Sequence, residues 1–237
     1  MKKGNKKIEQ IEENFKKRYE KKKRLNLLIS LIVVILGIFS VIYIWNYDKE
    51  GILTFRWMTV DGTIYTSVMA FAFIVISLVE LKKYTEVTSK RLYFMRLSSA
   101  VAESLIIVVV LLSQLPMSPT HMHILRPDMF CMHIIIPILT VVSFVVNDSP
   151  VGRLGKLRRL HGLWFVTFYA IVMTVLILEE VIADEDVPYF FLDIQNMPAL
   201  RAVECYVVLY AMAYTLTCIL YRMNKKLSWM WFRGVTD

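Results

Sequence analysis

Residues 25–45 read LNLLISLIVVILGIFSVIYIW, a run without a single charged side chain. About 20 apolar residues in helical form cross the hydrocarbon core of a bilayer, and this run has that length. It is too long for the apolar region of a secretory leader, and no small-residue cleavage pattern follows it. Five more windows of the same kind lie downstream, at about 59–81, 94–115, 130–147, 161–182 and 200–221. The third opens on polar Arg96, Ser98 and Ser99 and carries Glu103, but its stretch 105–112 is continuously apolar. The expected fold is therefore an all-α polytopic membrane protein with six transmembrane helices. Its expected parts are a basic arm over 1–24, the helical domain over 25–222 and a short basic tail over 223–237.

Composition agrees with that pattern. Of 237 residues 57% are apolar, the mean hydropathy is +0.51, and charged residues make up 20%. Soluble domains hold about 45–50% apolar and about 25% charged residues, more evenly spread. A disordered chain, a disulfide scaffold and a soluble nucleic-acid binder are excluded as descriptions of the whole. Cys131, Cys205 and Cys218 all fall in apolar windows without CxxC spacing, which reads as three small buried hydrophobes. No repeat of 20–50 residues is visible.

The basic residues give the six windows a direction. Of 28 Lys and Arg, 24 fall in the arm, the second and fourth connections and the tail, leaving only Lys49, Arg56, Arg126 and Arg201 on the other side. Cytoplasmic loops are enriched in Lys and Arg, so both termini are expected in the cytoplasm of an integral membrane protein. In the arm, Ile8, Ile11, Phe15 and Tyr19 recur at helical spacing amid the positive charge. That pattern suits an amphipathic helix along the inner leaflet with anionic lipid as its partner, at about 1 kcal/mol per charge.

Ionisable groups inside a span are costly and mark candidate sites. Thr59 and Asp61 open the second span, His133 lies just inside the fourth, Glu179 and Glu180 close the fifth, and Arg201 and Glu204 open the sixth. On the expected topology all of these sit near the outer face. Glu103 stands apart, deeper in the third span. Pro137 removes the hydrogen bond to the His133 carbonyl, so a bend is expected there, with Pro137, Thr140 and Asn147 continuing the same face. Thr59 or Asp61 can instead serve as a helix cap, and His133 as a packing histidine. A threonine nucleophile needs an adjacent base, and His133 is the histidine inside a span at similar depth. His121 and His123, with the acidic run Asp184, Glu185 and Asp186, fit metal-ligand spacing poorly and read as solvated. An i,i+3 pair between Arg201 and Glu204 is expected to be structural.

Three stretches, in this order, carry a resemblance. Phe55-Arg56-Trp57-Met58-Thr59-Val60 opens the second span, Met132-His133-Ile134-Ile135-Ile136-Pro137 opens the fourth, and Pro188-Tyr189-Phe190-Phe191-Leu192-Asp193 lies in the last outer loop. Over about 25–222 the chain resembles the androgen-induced integral membrane protein family and its bacterial six-span relatives. The resemblance implies an intramembrane hydrolase of fatty acid esters of hydroxy fatty acids, with Thr59 as nucleophile and His133 as the histidine. It implies a lipid-ester substrate, no metal and no organic cofactor, no nucleic-acid partner, and a bacterial plasma membrane. The chain departs from its relatives at Val187, Phe190 and Asp61-Gly62. Two other readings stay open here. One is a transporter or lipophile-binding protein using Glu103, Asp61 and Glu204 as proton-responsive groups, and the other is a membrane protein without a ligand.

Overall fold

The apolar windows form helices because each carries a buried stripe and an opposite stripe of large apolar residues left on the surface. In the second, Val68, Phe71, Val75 and Leu78 lie outside at spacings of three and four, while Met69, Ala70 and Phe73 point inward. Such a surface needs hydrocarbon around it. The computed structural model describes residues 2–114, 124–149, 155 and 157–230. His121, His123, Arg153, Lys156 and Arg233 lie outside the described residues. Six helices among those described are long and apolar enough to cross a membrane, and no strand occurs among them.

The first helix, α1 (Lys2–Asp48), is 47 residues long, about 70 Å at 1.5 Å per residue. It runs unbroken through the junction at residue 24, so the basic arm and the first apolar run belong to one helix. A 3-10 turn over Gly51–Arg56 leads into α2 (Met58–Lys83), which ends with Tyr84 in the left-handed conformation. Helix α3 (Lys90–Val109) is capped by the Ser89 hydroxyl, which accepts from Leu92 N–H at 3.2 Å, and widens into a π turn over Val110–Gln114. Helix α4 (Pro127–Asn147) contains a π turn at Cys131–Ile135. A 3-10 turn over Leu157–Leu163 precedes α5 (Trp164–Leu178), and the last helix is α6 (Ala199–Met230).

Helix α3 is the centre of the bundle. Tyr93, Leu97, Ala100, Val101 and Leu105 are fully buried and meet Phe144 of α4 and Val166, Tyr169 and Met173 of α5. Helices α1 and α2 cross closely at Gly37, where a Cβ would lie 2.0 Å from Ser67 Oγ. The two ends of the bundle differ in chemistry. At one, the Glu80 end, buried ions tie the helices together. Lys23 meets Glu80 at 2.6 Å, Arg96 donates to Ser143 at 2.8 Å, and Ser143 donates to Asn26 at 2.7 Å. Asn224 of α6 donates to the carbonyls of Phe144 and Asp148 and accepts from the Tyr93 hydroxyl. The start of the spanning part of α1 and the end of α6 therefore share this end. The other end carries Thr59.

Candidate active site

The N-cap of α2 is Trp57, in extended conformation and without a side-chain cap bond. This corrects the capping roles open to Thr59 and Asp61. Thr59 is the second helical residue, and Asp61 lies in the first turn, where a carboxylate suits the helix dipole. Its hydroxyl is free for another partner, and Thr59 Oγ1 lies 3.3 Å from His133 Nε2. Both residues are buried, at 5% and 6% exposure.

His133 reaches that position through the irregular turn of α4. Pro137 supplies no N–H, and the preceding turn takes the wider register, with Ile136 N–H donating to the Cys131 carbonyl. The expected bend is thus a π turn, a distortion that recurs at functional sites. The other ring nitrogen, Nδ1, lies 2.9 Å from the Met129 carbonyl oxygen. A carbonyl only accepts, so Nδ1 carries the proton and donates. The neutral ring then has an unprotonated Nε2, which accepts from the Thr59 hydroxyl. One backbone carbonyl sets the tautomer that a base requires. Behind the pair pack Ile44, Val60 and Met132, a dry apolar group.

In front of Thr59 opens a narrow apolar crevice of about 20 Å³ lined by Thr59, Leu105, Ile106, Val109, Tyr189 and Phe191, among others. His133 is not on its wall. A ligand in the crevice meets the hydroxyl first, with the imidazole behind it. The segment that closes the crevice runs between α5 and α6 and is fastened to the entry of α2. Arg56 donates to Asp186 at 2.8 Å and to Glu50 at 3.2 Å, and the Tyr169 hydroxyl donates to the Arg56 carbonyl at 2.5 Å. Tyr189 stacks on Phe191, with centroids 5.1 Å apart, and stands edge-on to Trp57 at 5.7 Å. Tyr189 shares the lining of the crevice with Thr59.

The remaining candidates disperse. Asp184 and Glu185 are exposed, and Asp186, half-buried, is also paired with Arg56. Arg201 and Glu204 are exposed, and among the described residues no ion pair joins them. Glu179 and Glu180 are exposed at the end of α5. Glu103 is fully buried beside Thr66, whose hydroxyl bonds Ser99 at 2.8 Å. Cys131 is buried, Cys205 and Cys218 are half-buried, and all three are free thiols. Among the described residues no group of His, Cys, Asp and Glu is arranged to hold a metal ion. The sequence reading missed Tyr189 and the Met129 carbonyl. Tyr189 stood in a quoted motif, but nothing in its spacing shows that it meets Thr59. No protein-family model matches the chain, and neither a curated protein nor a solved structure does.

Proposed function

We propose that this chain is an intramembrane hydrolase of lipid esters of the fatty acid–hydroxy fatty acid type, with Thr59 as nucleophile and His133 as general base. One observation carries the reading: a buried threonine hydroxyl 3.3 Å from the unprotonated nitrogen of an imidazole whose other nitrogen is held by a carbonyl. In the proposed reaction Thr59 Oγ attacks the ester carbonyl carbon while His133 Nε2 takes the hydroxyl proton. Collapse of the tetrahedral intermediate breaks the bond to the leaving alcohol, which receives that proton. Water, activated by the same nitrogen, then releases the fatty acid from Thr59. The apolar crevice suits an acyl chain.

The basic arm, tail and second and fourth connections support a bacterial plasma membrane orientation with both termini cytoplasmic and the Thr59 end outward. Anionic inner-leaflet lipid is the proposed partner of the arm.

Covalent labelling tests the chemistry. A fluorophosphonate probe is expected to label the purified protein in detergent, and Thr59→Ala and His133→Ala are each expected to reduce labelling at least 100-fold. Undiminished labelling in both variants overturns the assignment.

A further inference from the structure

Hydrolysis by a threonine needs more than a nucleophile and a base. Negative charge develops on the ester carbonyl oxygen in the transition state, and a preorganised donor must face it. The loop between α5 and α6 brings one polar side chain to the crevice wall beside Thr59, and it is Tyr189. Its ring is held from two sides by Trp57 and Phe191, so the hydroxyl has little freedom. The loop is itself tied to the start of α2 through Asp186 and Arg56 at 2.8 Å.

We propose that Tyr189 is the oxyanion donor of this site, its hydroxyl donating to the carbonyl oxygen of an ester bound in the crevice as Thr59 attacks. The proposal rests on the hydrolase reading. In the resting protein Tyr189 lines the crevice together with Thr59 and Met58 of the first turn of α2. The amides of Val60 and Asp61 are already satisfied by the Trp57 carbonyl, at 3.0 and 3.2 Å. The first N–H groups of a helix have no partner within it, so an oxygen at this position faces donors from the backbone as well as from the phenol. When the ester carbonyl arrives, its π electrons move to oxygen as the Thr59 Oγ–C bond forms. The phenol donates its hydrogen bond to that oxygen and keeps its proton throughout. Desolvation pushes the Tyr189 phenol up to about 12, against the pull of Thr59 and the backbone amides, which keeps it a donor rather than a base. The proton that moves is the one exchanged between Thr59 and His133.

The same residue constrains how an ester would enter. The donor, the nucleophile and the apolar wall of Leu105, Ile106 and Val109 converge on one narrow crevice, so the acyl carbonyl must enter with its chain along α3.

Tyr189→Phe keeps the ring and its stacking and removes only the hydroxyl. Hydrolysis of p-nitrophenyl octanoate and of a palmitoyl ester of hydroxystearic acid is measured on the full-length protein in micelles, beside wild type and Thr59→Ala. The expected result is a loss of about 100-fold in kcat, within the 10²–10³ typical of one missing oxyanion donor. KM is expected to stay within about threefold and Tm to stay unchanged. The fluorophosphonate labelling rate is expected to fall in parallel, because its transition state also places charge on an oxygen. An active wild type, an inactive Thr59→Ala and a fully active Tyr189→Phe overturn the oxyanion role and leave the hydrolase reading standing. A loss that comes with a lowered Tm and a raised KM instead marks a packing role and also overturns it. Equal hydrolysis by wild type and Thr59→Ala removes the hydrolase reading, and this inference with it.

Discussion

Glu103 is the residue whose surroundings least resemble those of its neighbours. It is fully buried on α3, and neither carboxyl oxygen has a hydrogen-bond partner within normal limits. The hydroxyl of neighbouring Thr66 is engaged with Ser99 at 2.8 Å. Thr63 and Thr140, also fully buried, have hydroxyl oxygens without partners. A buried polar group left unpaired costs about 1–3 kcal/mol, and removing the possibility of charge lowers the cost. Glu103→Gln keeps the shape and an acceptor for Thr66. The variant is expected to be as stable as wild type or up to about 1 kcal/mol more stable, with ester hydrolysis within threefold. Thermal unfolding in micelles and the p-nitrophenyl assay check this. Abolished function with an intact fold instead favours the transporter reading, in which the carboxyl itself does the work. The approach of Thr59 to His133 was legible at this scale because they are a hydroxyl and an imidazole at similar depth in two apolar windows. The tautomer was not legible, since it depends on a carbonyl four residues away in a turn whose register the sequence does not spell out.

At the scale of elements, the position of His133 depends on how α4 begins. Arg126 anchors that start. Its guanidinium meets Asp48 at the end of α1 at 2.7 Å and Asp128 at 2.8 Å. Desolvation pulls its pKa down, but the two carboxylates outweigh this and raise it, so the clamp stays charged. From the clamp, α4 passes through its π turn before Pro137. A proline signals a lost hydrogen bond, which was legible, but not the wider register that the preceding turn takes. The register matters because a π turn inserts one extra residue and rotates everything on its N-terminal side. Pro137→Ala restores the missing N–H and permits regular α-helix through Cys131–Ile135. The expected outcome is a protein of equal or slightly higher Tm whose hydrolysis falls at least tenfold, because a misplacement of about 1 Å can cost 10²-fold. Activity that survives undiminished shows that the geometry of His133 does not depend on Pro137.

For the whole molecule, hydrophobic blocks and their lengths made the six helices legible, because a bilayer allows little else. The windows underestimated the helices at the Glu80 end, where α1 and α6 run on past the apolar blocks. Charge normally ends a span, yet here Lys23 is drawn inside by Glu80 and Arg96 by Asp148, and no local pattern announces such long-range pairs. Asp148 gives this end a pH dependence. Burial pushes its carboxyl up to about 6 from 3.8, against the pull of Arg96, Lys23 and Lys22. The folded state therefore holds the Asp148 proton more tightly than the unfolded state between about pH 4 and about pH 6. The stability that this residue contributes is fully present below about pH 4, falls as pH rises through about 6, and is constant above. At about 1.4 kcal/mol per pH unit the change is on the order of 3 kcal/mol. Asp148→Asn lacks the titration but keeps the volume. The Tm of wild type minus that of the variant is expected to decrease by several degrees between pH 4 and pH 6 and then to level off. A difference that rises over the same range means that the Arg96 pair dominates burial, and that the ions at this end hold the bundle together as charges.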